Sequence, residues 1–119
     1  MLTSGEIASY RESGYLLVER AVEPDLLREL RRGTQALIDA SRTVTVSDDI
    51  YDLDEGHSAA HPRLTRIKLP HKRHPVYAEA LRSPRIVGAL QDLLGPDVLL
   101  QTSKLNTKAP GGGAAVEWH

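Results

Sequence analysis

The sequence predicts a domain that mixes helices and strands, and three observations predict it. Apolar residues at Leu26, Leu27, Leu30, Leu37 and Ile38 recur with helical spacing and form one stripe. Prolines stand where first helical turns are expected, at Pro24, Pro75 and Pro84, and glycines stand where helices would stop, at Gly14 and Gly95. From Val98 to Lys108 the side chains split into two sets with a period of two, the signature of a strand. With 119 residues, 40% of them apolar, the chain has the length and core fraction of one modest domain. Four Tyr, one Trp and no Phe mean that this core must be built mainly from Leu, Val, Ile and Ala.

In chain order, Thr3 or Ser4 caps a first helix through about Ser13, with Glu6 near its positive end and Gly14 in the left-handed position beyond it. Tyr15-Leu16-Leu17-Val18 reads as a short buried strand. The second helix opens at Pro24. Gly33 lies on its apolar face and weakens the helix by up to ~1 kcal/mol relative to Ala, unless a close neighbour needs the space. Leu64 to Leu69 forms a strand ending at Pro70, with Arg66 and Lys68 on one face and Ile67 and Leu69 on the other. His74-Pro75 starts a short helix through Leu81, and Ser83-Pro84 opens another that Gly95-Pro96 stops. A long strand from Val98 to Lys108 follows, then a loop over Ala109-Pro110-Gly111-Gly112-Gly113 and a further strand over 114–119. The chain stops inside that last element, so a fragment of a longer protein is expected.

Charge and composition exclude several functions. Lys+Arg (15) and Asp+Glu (16) nearly cancel, so the field of a nucleic-acid binder or of a protein bound to anionic membranes is missing. Without cysteine there is no disulfide framework, no thiolate metal site and no cysteine nucleophile. Neither a secretory signal nor an apolar run of membrane-spanning length is present, and a cytoplasmic protein is the expectation. Locally the charge is uneven. The run Asp48 to Gly56 is acidic, and residues 63–74 carry Arg63, Arg66, Lys68, Lys72 and Arg73 with no acid, which reads as two solvated loops attracting one another.

Candidate chemistry concentrates on the last long strand. Leu99, Gln101, Ser103 and Leu105 share one face, while Thr102, Lys104, Asn106 and Lys108 continue the other, which turns fully polar. Either that face meets water, or Thr102, Lys104 and Asn106 line a cavity holding an anionic ligand. Asparagine supplies two donor hydrogens and an acceptor, and lysine three donors and a charge. The pairs His57/His61 and His71/His74 have no carboxylate at a matching spacing and read as ordinary surface histidines. Phosphate-loop, dinucleotide-binding and serine-hydrolase motifs are all absent.

Three segments together resemble one family. They are Ile7-Ala8-Ser9-Tyr10-Arg11-Glu12-Ser13-Gly14-Tyr15-Leu16-Leu17-Val18-Glu19 with the helix from Pro24; Ser83-Pro84-Arg85-Ile86-Val87 with Leu93-Leu94-Gly95-Pro96; and Leu105-Asn106-Thr107-Lys108-Ala109-Pro110-Gly111-Gly112-Gly113 leading to Val116-Glu117-Trp118-His119. The chain resembles the N-terminal part of the phytanoyl-CoA dioxygenase family of Fe(II)- and 2-oxoglutarate-dependent oxygenases. The third segment is the most specific, because the family places a Lys and a Pro/Gly turn shortly before a Trp-His-x-Asp motif.

The resemblance implies a mainly β fold with flanking helices, a double-stranded β-helix (jelly roll, cupin-like), of which residues 1–119 would be the N-terminal helical support and first strands. It implies Fe(II) as cofactor, with 2-oxoglutarate and O2 as cosubstrates. His119 would be the first iron ligand and a catalytic residue, and three protein ligands would leave iron positions open for cosubstrates. The Asp that the resemblance implies two residues later, a second His and a later basic residue for 2-oxoglutarate are not among the 119 residues. Asn106 matches an asparagine that reaches 2-oxoglutarate in some members. Lys104 matches a variable, often basic position facing the cosubstrate or substrate, Thr102 shares that face, and Lys68 is similar to a basic residue on an early strand facing the same cavity. The implied activity is hydroxylation of an unactivated C–H bond of a small molecule with release of succinate and CO2. A halogenase, expected if Ala or Gly replaces the Asp, and a non-catalytic α+β binding domain are the alternatives. Monomer and homodimer both stay open.

Overall fold

The computed structural model describes residues 1–113 and 115. Helix α1 spans Ser4–Ser13. Thr3 closes a capping box at its start: the Thr3 hydroxyl accepts from the Glu6 amide (3.2 Å) and the Glu6 carboxylate accepts from the Thr3 amide (2.7 Å). The Thr3 amide and hydroxyl together hold the Glu6 carboxyl below its ordinary pKa. Gly14 takes φ 80° and donates to the Tyr10 carbonyl, a left-handed stop open to glycine without strain. The strand expected over Tyr15 to Val18 does not form. Tyr15 is 75% exposed and Leu17 79%, and no strand among the described residues lies alongside to share a ladder.

Helix α2 runs Pro24–Ala40, with proline in its first turn and Gly33 and Leu37 buried on its inner face. A short 3-10 turn, Ser41–Thr43, ends it. Helix α3 (Pro70–Arg73) is a single turn entered through Leu69 at φ 50°, and α4 (Pro75–Leu81) follows with His74 as its cap, where Nδ1 accepts from the Val76 amide (3.3 Å). Helix α4 packs on α2 at Gly33. A Cβ there would stand 2.7 Å from Val76 Cγ1 and 2.9 Å from His74 Nδ1, so the neighbour that needs the space is the start of α4. The Thr34 and Tyr77 hydroxyls bond across the same contact. Helix α5 spans Pro84–Leu94 as the Ser-Pro and Gly-Pro boundaries predict, although the Ser83 side chain makes no capping hydrogen bond.

The strands form one antiparallel sheet in the order β1 (Tyr51–Leu53), β2 (Leu64–Lys68), β3 (Lys104–Asn106). In β1 and β2, Asp52 is opposite Arg66 and Leu53 is opposite Leu64, which leaves Thr65 as the extra residue of a bulge. The bulge explains why Leu64 and Ile67, an odd number of residues apart, both reach the core with Leu37 and Tyr51. The Tyr51 hydroxyl donates to the Leu37 carbonyl at 2.6 Å and ties the sheet to α2.

Two expectations about strands are corrected. The strand expected over Leu64 to Leu69 forms as β2, but the acidic stretch is not a solvated loop beside it; it contributes β1, the neighbour of β2 in the sheet. The strand expected from Val98 to Lys108 is regular only over Lys104–Asn106, and Leu99 is 92% exposed. The cause lies in its partner. After Lys68 the backbone turns left-handed at Leu69 and then meets Pro70, which has no N–H, so β2 offers no ladder to residues before Ser103. The last bonds of the pairing are Leu69 N–H to the Ser103 carbonyl (3.1 Å) and Thr107 N–H to the Thr65 carbonyl (3.0 Å). The strand expected over 114–119 lies outside the described residues, except for Ala115, which is irregular.

Candidate functional site

The period-two reading of β3 and its flanks holds in three dimensions. Ser103, Leu105 and Thr107 are half-buried, while Thr102, Lys104, Asn106 and Lys108 are exposed. Register then fixes what shares the exposed face. Asn106 is opposite Arg66, Lys104 is opposite Lys68, and Asp52 on β1 is opposite Arg66 from the other side. Leu105 meets Ile67 on the core face. One side of the sheet is therefore apolar and packed. The other is a polar surface of five side chains: Asp52, Arg66, Lys68, Lys104 and Asn106.

On that surface the charges are unequally matched. Lys68 Nζ lies 2.8 Å from Asp52 Oδ1 and donates to the Asp48 carbonyl at 2.7 Å, and Arg66 NH1 lies 3.6 Å from the second Asp52 oxygen. A single carboxylate thus answers both β2 cations. Lys104 has no ion pair among the described residues. Arg66 Nε donates to Asn106 Oδ1 at 3.4 Å, which turns the asparagine's acceptor toward the protein and leaves its amide nitrogen as a donor. An ammonium with no ion pair among the described residues, beside an amide donor, is a chemistry suited to a carboxylate ligand. The entry to β1 is fixed separately. Asp48 accepts from the Tyr51 amide (2.7 Å) and the Ile50 amide (2.8 Å), and these bonds hold its carboxyl below the ordinary range.

Of the sequence-predicted residues, Lys68, Lys104 and Asn106 come together, whereas Thr102 is exposed but precedes the sheet. His119 lies outside the described residues. No three metal-ligating side chains cluster among the described residues. Three of the remaining histidines serve the fold. His57 Nδ1 accepts from the Arg63 amide (3.0 Å) while its Nε2 faces the Ser41 carbonyl (3.1 Å), His71 bonds the Ser103 hydroxyl, and His74 caps α4. Asp52 was not singled out from the sequence. Its signal was present in the opposed signs of residues 48–55 and 63–74, which strand pairing turns into direct contacts.

The sequence comparisons point one way. The family model described as Phytanoyl-CoA dioxygenase (PhyH) matches residues 10–119. Similar curated proteins include an ectoine dioxygenase from Streptomyces coelicolor, 26% identical over 99% of this chain and 38% of its own length, and one from Streptomyces avermitilis, 27% identical over the same shares. A probable alpha-ketoglutarate-dependent hypophosphite dioxygenase from Stutzerimonas stutzeri is 26% identical over 92% of this chain and 38% of its own length. The chain spans somewhat over a third of the length of these relatives. No solved structure matches it.

Proposed function

The chain belongs to the phytanoyl-CoA dioxygenase family, and on that footing we propose that the whole protein is an Fe(II)- and 2-oxoglutarate-dependent dioxygenase. Its reaction is hydroxylation of an unactivated C–H bond in a small molecule, with release of succinate and CO2. The relatives' names, which specify ectoine and hypophosphite, favour a small polar substrate. The antiparallel sheet belongs, in this reading, to a double-stranded β-helix whose inner wall includes the polar face. Residues 1–119 then serve as the N-terminal part of one oxygenase domain.

The observation that carries the reading is the side-by-side placement of Lys104 and Asn106 on the face opposite the core, with Lys68 already neutralised by Asp52. His119 is assigned as the first iron ligand, imidazole being a common ligand for iron. Bound iron with 2-oxoglutarate and O2 supplies the oxidising power that no protein side chain has. The protein's part is binding and orientation. Asn106 donates from its amide to a cosubstrate carboxylate, Lys104 supplies the opposing charge, and Arg66 keeps the Asn106 amide turned outward. Asp52 holds Lys68 in place at the rim, and Thr102 offers a hydroxyl at the edge of the same surface.

The test is replacement of His119 in the whole protein. His119→Ala is expected to abolish substrate-dependent succinate formation and to weaken Fe(II) binding, whereas His71→Ala retains iron affinity. Normal turnover with normal iron affinity in the His119 variant would refute the assignment.

A further inference from the structure

The loop that leads toward His119 is seated on an arginine held between two glycines. Arg63 stands one residue before β2. Its side-chain stem crosses Gly56, where a Cβ would lie 3.0 Å from Arg63 Cδ, and its guanidinium reaches beneath Gly112, where a Cβ would overlap the NH2 group. From that seat NH1 donates to the Pro110 carbonyl at 3.1 Å, and Nε lies 3.7 Å from Asp54 Oδ1. Both partners of this ion pair are well covered, with side-chain exposures of 26% for Arg63 and 13% for Asp54.

The mount itself is tied by backbone hydrogen bonds. The Asp54 amide donates to the Arg63 carbonyl at 3.0 Å, closing the β1–β2 connection on itself, and the Arg63 amide donates to His57. Asp54 also accepts from the Gly56 amide at 3.2 Å. Arg63 thus joins the adjoining residues 54–57 to the turn 110–112, which lies 47 residues on at Pro110. Lysine could supply the charge but not the planar fork that serves a carbonyl and a carboxylate together. A Cβ at Gly112 would overlap the guanidinium and shift it from the Pro110 carbonyl, whereas one at Gly56 would press on the stem and move it by only a few tenths of an ångström.

We propose that Arg63 is a positioning residue: seated between Gly56 and Gly112 and oriented by Asp54, it fixes the Pro110–Gly113 turn and so sets the path of the chain into the segment carrying His119. Gly113 precedes His119 by six residues, which reach about 20 Å at most when extended, so the placement of the turn bounds where that ligand can lie. The inference rests on the assignment of His119 as a metal ligand, and it reaches that ligand through backbone placement, not through contact with metal or substrate.

Hydrogen exchange and metal titration of the whole protein test it together, using Arg63→Ala, Arg63→Lys, Gly112→Ala and His119→Ala. In the metal-free protein, Arg63→Ala and Gly112→Ala are expected to speed exchange of the 111–113 amides by about tenfold or more, with the α2 and β2 amides unchanged. The same two variants are expected to weaken Mn(II), used as an oxygen-stable probe, by about tenfold, and Arg63→Lys to fall between them and the wild type. If Arg63→Ala is too unstable to purify, Gly112→Ala alone decides, because it removes no side chain. Unchanged loop exchange and metal affinity, or faster exchange spread evenly through the domain, would overturn the proposal. His119→Ala separates the two ideas: retained Mn(II) binding in that variant defeats the ligand assignment, whereas lost binding in it beside a silent Arg63 series defeats the positioning role alone.

Discussion

Tyr51 shows how a single side chain joins the two layers. Its ring lies in the core at 3% exposure, and its hydroxyl reaches the Leu37 carbonyl of α2. Removing the hydroxyl by Tyr51→Phe is expected to cost about 1 kcal/mol in chemical denaturation, the usual worth of one such bond. Burial, with the nearby Asp48 charge second, raises the phenol above its ordinary pKa of 10.0. A raised folded-state pKa means that the associated stability is fully present below the unfolded phenol's pKa and is lost as pH rises through the folded value. Denaturation midpoints above about pH 10 should therefore fall more steeply for the wild type than for Tyr51→Phe. At the acid end the sign reverses for Asp48, whose lowered pKa gives stability that is present above its unfolded pKa and lost as pH falls through the folded value. Asp48→Ala should flatten that acid limb, read by the same denaturation midpoints. Sequence alone placed Tyr51 in an acidic stretch and could not show that the ring turns inward, because only pairing with Ile67 assigns it to the core face.

Among the elements, the helices were the most legible and the strands the least. Thr3, Pro24, Pro75, Pro84, Gly14 and Gly95 act locally, through caps and fixed backbone angles, so α1, α2, α4 and α5 begin, and α1 and α5 end, where those residues direct. Strand length depends on a partner. The period-two pattern after Val98 correctly sorted the faces of β3, but the regular ladder stops where Leu69 and Pro70 end β2, a constraint that β3's own residues do not carry. Tyr15 to Val18 failed for the same reason: β-branched and aromatic character does not make a strand without a neighbour. Gly33 and Gly88 give a direct test of how far local propensity extends. Both lie inside helices, but a Cβ at Gly33 would collide with Val76 and His74, while Gly88 has nothing within 4 Å. Gly33→Ala is expected to destabilise by about 1 to 3 kcal/mol through overpacking. Gly88→Ala should stabilise by up to about 1 kcal/mol through helix propensity, both read from denaturation midpoints.

For the molecule as a whole, the near-zero net charge conceals an organised separation. Acidic β1 and basic β2 pair, and Asp52 is shared by Lys68 and Arg66, so with Lys104, which has no ion pair among the described residues, the polar face carries an excess of positive charge. The opposite face carries Leu105, Ile67 and Tyr51 against the helices. This division assigns distinct consequences to adjacent residues: Asn106 belongs to the polar surface, whereas Ser103 points to the helical side and bonds His71. Among the described residues no helix is long and apolar enough to cross a membrane.

The central claim, that the polar face binds 2-oxoglutarate, is tested most directly by anaerobic titration of 2-oxoglutarate into the Fe(II)-loaded whole protein, comparing Asn106→Ala with Ser103→Ala. If the whole protein covers this face and desolvates the ligand, loss of the Asn106 amide leaves a ligand oxygen without its donor and is expected to cost about 1 to 3 kcal/mol. That corresponds to roughly 5- to 150-fold in affinity. Ser103→Ala should shift the denaturation midpoint while leaving 2-oxoglutarate affinity within about twofold of wild type, because its partner lies on the packed side. A selective loss in the Asn106 variant is the predicted result, and equal, negligible changes in both variants would contradict the account.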